Sequence, residues 1–107
     1  MPPKKQNAPA RPGKQRAHQS IEDQVKQVLA KHPQAKAVFG MLCETSTGVV
    51  HDIQAVASIV RQTPAALVID GISGLGADEC QTDAWGVDLV VSGSQKALML
   101  PPGLAFM

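Results

Sequence analysis

The sequence contains few aromatic residues and few cysteines. Its 107 residues include one tryptophan, two phenylalanines and no tyrosine, while 44% are apolar, so we expect the aliphatic core of one small domain. The two cysteines, Cys43 and Cys80, lie far apart and form no C-x-x-C pair. This spacing argues against a zinc site and a disulfide framework and favours two reduced thiols. The three histidines show no metal-ligand spacing either.

A strong net charge and a long hydrophobic run are also missing. The formal charge of +1 gives no overall attraction to nucleic acid or to a membrane. No apolar stretch approaches the roughly 18 residues that span a bilayer. The basic N-terminal residues precede no apolar segment of the kind found in secretory signals. We therefore expect a cytoplasmic protein without a membrane partner.

Residues 1–19 differ in composition from the rest of the chain. They hold five basic residues, no acidic residue and four of the eight prolines, which predicts a disordered basic tail outside the fold. A nucleic-acid contact through this segment is a second interpretation. It is disfavoured because no aromatic residue is interleaved to stack on bases.

Residues 20–107 alternate apolar runs with amphipathic segments, which predicts an α/β fold with a mostly parallel sheet and flanking helices. The first helix is expected to begin at Ser20, with Asp23 three residues on, and to present Ile21, Val25, Val28 and Leu29 on one face. Helices are predicted at 20–32, 52–62 and 82–86, and strands at 37–42, 66–69, 87–91 and 104–107. The strand at 37–42 is expected to be buried on both faces.

The last strand is expected to run antiparallel to its predecessor. A parallel return needs a crossover of a dozen or more residues, and the segment from Lys96 to Pro102 carries two prolines and cannot supply one. The chain also stops in the middle of an apolar run. Residues 20–107 are therefore expected to be part of a larger domain, truncated at both ends.

Polar side chains follow three successive strands at the points where these end. Glu44 and Thr45 follow the first strand, Asp70 the second, and Ser94-Gln95-Lys96 the third. Ligands of open parallel sheets bind at the carboxyl ends of the strands, so we expect these groups to converge on one planar ligand. Small and apolar neighbours of Lys96 predict partial desolvation, which would make its amine a better nucleophile.

Each of these residues also has a plainer interpretation. A lysine in a loop is usually solvated, Asp70 can form a turn, and Thr45 can bond its own loop backbone. Residues 44–48 read as a polar loop. The glycine-rich segment 71–76 has the order G-x-x-G-x-G, the reverse of the dinucleotide motif, and is better explained as a tight turn close to a ligand.

Four ordered motifs resemble the class V aminotransferases, which use pyridoxal 5'-phosphate (PLP). The serine–pyruvate and alanine–glyoxylate aminotransferases are the most similar group, which also includes proteins called soluble hydrogenase small subunits. The resemblance runs from about Ser20 to Met107. Its motifs are E-T-S-T-G at 44–48, V-I-D at 68–70 with L-G at 75–76, D-x-W-G-x-D at 83–88 and S-G-S-Q-K-A-L-x-x-P-P-G-L at 92–104.

The resemblance implies a part of the large PLP-binding domain and a role for each of four residues. Lys96 would hold the cofactor as a Schiff base and then move the proton between the substrate Cα and the cofactor. Asp70 would pair with the pyridine nitrogen, Thr45 would bond the phenolic oxygen, and Gln95 would contact the phosphate. The implied reaction of the full-length parent, a homodimer, transfers the amino group of alanine or serine to glyoxylate or pyruvate.

Two features bear on the subfamily and on activity. Cysteine desulfurases usually carry histidine where this chain has Gln95, and relatives commonly have serine at the position of Gly74. The phosphate-binding turn, the stacking aromatic residue and the substrate-binding arginine of the family are not found in this sequence. We therefore expect the chain alone to bind PLP weakly and not to turn over; a non-catalytic remnant is the alternative.

Overall fold

The computed structural model describes residues 19–107, and the predicted basic tail at 1–19 lies outside this part except for its last residue. The helices are α1 (Ile21–Lys31), α2 (Ile53–Val60) and α3 (Thr82–Trp85). The strands are β1 (Ala37–Met41), β2 (Cys43–Glu44), β3 (Val49–Val50), β4 (Ala66–Asp70), β5 (Leu89–Gly93) and β6 (Ala105–Phe106). Across residues 19–107, no helix has the length and apolar character needed to cross a membrane.

The main sheet has four strands in the order β1-β4-β5-β6. β1, β4 and β5 are mutually parallel, and β6 pairs with β5 in the antiparallel sense. The predicted mostly parallel α/β fold and its antiparallel last strand are therefore confirmed. Because the three parallel strands are in register, Met41, Asp70 and Val91 form one row across the sheet.

Side-chain caps fix where the two longer helices begin. The Ser20 hydroxyl accepts a hydrogen bond from the Asp23 N–H at 3.2 Å, as the sequence pattern predicts. At the start of α2, the Asp52 carboxylate accepts from the Ala55 N–H at 2.9 Å. Each cap satisfies a backbone donor that the helix itself leaves free, a contribution of about 1 kcal/mol.

The core lies between the helices and one face of the sheet. α2 buries the apolar stripe of Ile53, Val56, Ala57 and Val60, and these side chains pack with sheet residues, including Leu67 and Ile69 of β4. Burying an aliphatic side chain of this size stabilises a fold by about 1.5–3 kcal/mol. The stripe on α2 is thus the main apolar support of the sheet.

The opposite face of the sheet is uncovered within residues 19–107, and this corrects the prediction for β1. β1 is not buried on both faces, because Phe39 is 78% exposed. The apolar stripe of α1 is also narrower than predicted. Val25 and Leu29 pack against the core, whereas Val28 is exposed, because α1 packs mainly against α2.

Two further features differ from the predictions. The third strand begins at Leu89 instead of Val87, because the Asp88 carboxylate first accepts the Leu67 N–H at 2.7 Å. The segment at 44–48 is not only a loop. The residues at its two sides pair as the short antiparallel strands β2 and β3, and Gly48 adopts a φ of 69° in the turn between them.

Candidate functional site

Three loops meet at the carboxyl edge of the parallel strands. They are the β2–β3 turn (residues 45–48), the glycine loop (residues 71–76) and the lysine loop (residues 94–104), which follow β2, β4 and β5. Because β1, β4 and β5 run in the same direction, these loops leave the sheet on one side. Every residue predicted for the site lies at this edge.

Asp70 is the last residue of β4 and lies on the face of the sheet that no helix of residues 19–107 covers. Its backbone carbonyl accepts from the Leu42 N–H at 2.9 Å, which ties β4 to the end of β1. The carboxylate accepts one hydrogen bond, from the Ile72 N–H at 2.9 Å, and remains exposed. In the row across the sheet, Asp70 lies between Met41 of β1 and Val91 of β5, so its carboxylate has an apolar side chain on each side.

A hydroxyl pair joins the β2–β3 turn to the glycine loop. The Thr45 Oγ1 and Ser73 Oγ atoms lie 2.5 Å apart. Thr45 does not bond its own loop through this hydroxyl, as the plainer interpretation proposed, but a residue 28 positions further along the chain. The contact holds the Thr45 hydroxyl beside the glycine loop, which directly follows Asp70.

Gly74 allows the glycine loop to approach the core. A Cβ atom at this position would lie 2.7 Å from Leu42 Cγ and 2.8 Å from Leu42 Cδ2, closer than carbon atoms pack. Leu42 itself is 1% exposed and belongs to the packed core. A side chain at position 74 would therefore meet Leu42 in this chain.

The glycine loop also contacts β5 and the lysine loop. The Gly71 N–H donates to the Val91 carbonyl at 2.8 Å, and the Ser92 hydroxyl donates to the Gly71 carbonyl at 3.3 Å. Further along, Gly76 adopts a φ of 92°, and a Cβ there would lie 3.5 Å from Ala97 Cβ. The glycine loop is therefore in contact with the loops that follow β2 and β5.

Gln95 and Lys96 are both exposed at the start of the lysine loop. The partial desolvation predicted for Lys96 is not present, because its apolar neighbours Leu98 and Met99 are themselves 37% and 89% exposed. The Gln95 side chain folds back over Gly93, where a Cβ would lie 2.7 Å from Gln95 Oε1. Because Gly93 has no side chain, the Gln95 amide can occupy this space near the rim of the sheet.

Glu44 serves the β2–β3 turn. Its Oε1 accepts from the Ser46 N–H at 3.0 Å and from the Ser46 hydroxyl at 2.8 Å. These two hydrogen bonds lower the pKa of Glu44 below its ordinary value, and the nearby His51 adds a smaller effect in the same direction. A carboxylate engaged in this way shapes the turn that carries Thr45.

A groove of about 750 Å³ runs along β1 and only borders this edge. Of the four predicted residues, Asp70 alone lines it, together with mainly aliphatic side chains. Thr45, Gln95 and Lys96 lie on an open rim instead. The site is therefore a surface on one edge of the sheet and not an enclosed cavity.

The structure brings the predicted groups to one edge and adds Ser73. In the sequence Ser73 is only part of the glycine-rich segment 71–76, and its contact with Thr45 depends on loop geometry that no spacing shows. Ser94 was predicted as one of the groups after the third strand. It is fully buried, so it belongs to the support of the lysine loop and not to the exposed rim.

A comparison with protein families finds the aminotransferase class-V model, which matches residues 4–107. A soluble hydrogenase small subunit from Synechococcus sp. is 48% identical over 87 residues, 78% of this chain and 23% of that protein. An L-aspartate–glyoxylate aminotransferase from Paracoccus denitrificans is 44% identical over 78% of this chain and 22% of its own length.

A solved structure supports the same relationship. The alanine–glyoxylate aminotransferase of a Nostoc species superposes with a TM-score of 0.73 at 34% identity, covering 80% of this chain and 22% of that chain. The chain thus spans less than a quarter of the length of the relatives it matches.

Proposed function

We propose that this chain, which belongs to the class-V aminotransferase family, carries the cofactor-anchoring edge of a PLP-dependent aminotransferase. Class-V aminotransferases depend on PLP. The observation that supports the proposal most strongly is the position of Thr45, Asp70 and Lys96. Asp70 ends β4, Thr45 follows β2, and Lys96 lies in the loop after β5. All three lie at one edge of the main sheet, in or beside loops that contact each other.

The functional groups at this edge match those of PLP in number and kind. PLP offers an aldehyde, a pyridine nitrogen, a phenolic oxygen and a phosphate. The edge offers the amine of Lys96, the carboxylate of Asp70, the hydroxyl of Thr45 and the amide of Gln95. Asp70 retains acceptor capacity beyond its one bond to Ile72, so it can receive a protonated ring nitrogen.

Each residue has a defined task in the proposed reaction. Asp70 would face the ring nitrogen of the cofactor, and its negative charge would favour the protonated form of that nitrogen. Thr45 would hydrogen-bond the phenolic oxygen, and Gln95 would donate to the phosphate. Lys96 would hold the cofactor through its amine, and the same amine, when free, would serve as the base for the proton on the substrate Cα. Bound PLP supplies the electron sink.

The substrates and the assembly belong to the same proposal. The matched relatives are named for glyoxylate-dependent transamination, which supports alanine or serine as amino donor and glyoxylate or pyruvate as acceptor. We propose a homodimeric, cytoplasmic parent enzyme. The arginine for the substrate carboxylate and the phosphate-binding turn would come from segments outside these 107 residues, so the chain alone would bind PLP weakly and would not turn over.

Site-selective trapping tests the proposal on the chain itself. The 107-residue protein is incubated with PLP and reduced with borohydride, and the label at each lysine is quantified by peptide mass spectrometry. Lys36 is the matched control, because it is exposed and precedes β1 at the opposite edge of the sheet. Label should accumulate at Lys96 over Lys36. Before reduction, the visible absorbance band of the imine should be absent in Lys96→Ala and present in Lys36→Ala.

Equal labelling of the two lysines would contradict the proposal and support the non-catalytic remnant. If the parent enzyme released sulfide from cysteine and transferred no amino group, a cysteine desulfurase would replace the aminotransferase. Nucleic-acid binding through residues 1–19 remains the disfavoured alternative, and salt-dependent DNA affinity that is lost on deletion of those residues would support it.

A further inference from the structure

Ser94 is the point where the two ends of the lysine loop are joined. It directly follows β5, lies two residues before Lys96 and is 0% exposed. Its N–H donates to the Leu104 carbonyl at 3.1 Å, and its hydroxyl oxygen accepts from the Leu104 N–H at 3.3 Å. The strand that leaves the loop is thereby fixed to the strand that enters it.

The same residue also holds the interior of the loop. The Ser94 hydroxyl donates to the Pro101 carbonyl at 2.6 Å, and the Ser94 carbonyl accepts from the Leu100 N–H at 3.1 Å. All the polar groups of one buried residue are therefore satisfied by the far half of the loop. Pro101 and Pro102 have no N–H with which to form alternative backbone bonds, so the loop depends on those that Ser94 makes.

The residues between these anchors are held by little else. Lys96 is tied through its carbonyl, which accepts from the Met99 N–H at 2.9 Å. Met99 has a φ of 56°, in the left-handed region of the backbone that residues other than glycine adopt at a cost in free energy. A loop with a left-handed residue keeps its shape only where surrounding bonds determine it.

We propose that Ser94 is a positioning residue that closes the lysine loop and so presents the Lys96 amine toward Asp70. The inference rests on the proposed function, since it concerns how the same edge is held. The buried hydroxyl acts through loop shape and does not touch the cofactor. Its removal leaves the Lys96 side chain chemically intact and changes only where the amine lies.

Ser94→Ala tests this inference, with Ser92→Ala as the matched control. Ser92 is 2% exposed and lies in β5, two residues before Ser94, but its hydroxyl bonds the Gly71 carbonyl and not the lysine loop. Both variants are labelled with PLP and borohydride as above. The preference for Lys96 over Lys36 should fall about tenfold in Ser94→Ala, the factor expected from the net loss of one to two hydrogen bonds, and should be kept in Ser92→Ala.

Hydrogen exchange supplies the second readout. In Ser94→Ala the amides of Leu100 and Leu104 should lose protection while that of Ile69 in the core keeps it, which separates loop opening from unfolding. If the alanine variant does not fold, Ser94→Cys keeps a side-chain donor and acceptor, although weak ones, and its preference should lie between those of serine and alanine.

The outcomes distinguish this inference from the function on which it rests. A preference for Lys96 that persists in Ser94→Ala, or an equal loss in Ser92→Ala, overturns the positioning role and leaves the proposed function standing. Absence of any preference in the unmodified chain overturns the proposed function and this inference with it.

Discussion

The hydroxyls of Thr45 and Ser73 lie 2.5 Å apart and connect two loops that are 28 residues apart in the chain. The pair fixes the Thr45 hydroxyl beside the loop that begins at Asp70. Because Thr45 is the proposed partner of the phenolic oxygen, its orientation should affect how the edge binds PLP even though Ser73 itself has no assigned contact.

Ser73→Ala should weaken PLP binding roughly three- to tenfold, since one net hydrogen bond contributes about 0.5–1.5 kcal/mol. A double-mutant cycle with Thr45→Ala, measured by absorbance titration, tests the coupling. The double variant should bind no more weakly than Thr45→Ala alone. Ser58→Ala is the control, because that hydroxyl bonds the Ala55 carbonyl within α2. Additive losses would show that the two hydroxyls act separately.

Gly74→Ala should lower the free energy of unfolding by about 1–3 kcal/mol, because the added Cβ would meet Leu42 at 2.7–2.8 Å in a filled core. Urea unfolding measures the loss. In a Leu42→Ala background the same substitution should cost much less, since the atoms it meets are gone. An equal cost in both backgrounds would refute the steric explanation.

Gly93→Ala should leave stability within about 0.5 kcal/mol, because the added Cβ meets only the end of the exposed Gln95 side chain. It should nevertheless displace the amide from its place over β5. We expect PLP affinity to fall severalfold while the affinity for pyridoxal, which lacks the phosphate, is unchanged. Parallel losses for both compounds would exclude a phosphate contact by Gln95.

The β2–β3 turn should loosen in acid. The two bonds from Ser46 lower the pKa of Glu44 below its ordinary value, so this carboxylate stabilises the turn at pH values above that ordinary value. The stabilisation is lost as the pH falls through the lowered value. Carboxyl NMR shifts of Glu44 should show Ser46→Ala moving the pKa back toward normal, with Ser58→Ala as control. An unchanged pKa in Ser46→Ala would contradict the assignment.

The order of elements and the edge of the site could be predicted from the sequence. Apolar runs and the Ser20 cap located the strands and α1, and polar residues at the strand ends identified Asp70 and Lys96. The exposure of Phe39 could not be predicted, because the continuous apolar run of β1 is typical of a strand buried on both faces, whereas one of its faces is uncovered within residues 19–107.

Contacts between loops could not be predicted from the sequence either. The Thr45–Ser73 bond and the approach of Gly74 to Leu42 depend on how two turns fold back onto the sheet. β2 and β3 have two residues each, which is too short for a periodic signal. Such features arise from tertiary packing, and the sequence shows only that hydroxyls and glycines are present.

The central claim is that Lys96 and Asp70 serve the same PLP ring from adjoining strands. The most direct measurement is the ¹⁵N NMR titration of PLP labelled at its ring nitrogen and fixed to Lys96 by reduction. In the unmodified chain the nitrogen should stay protonated to higher pH than in Asp70→Asn, because the carboxylate stabilises the charged ring. Identical titration curves for the two proteins would contradict the account.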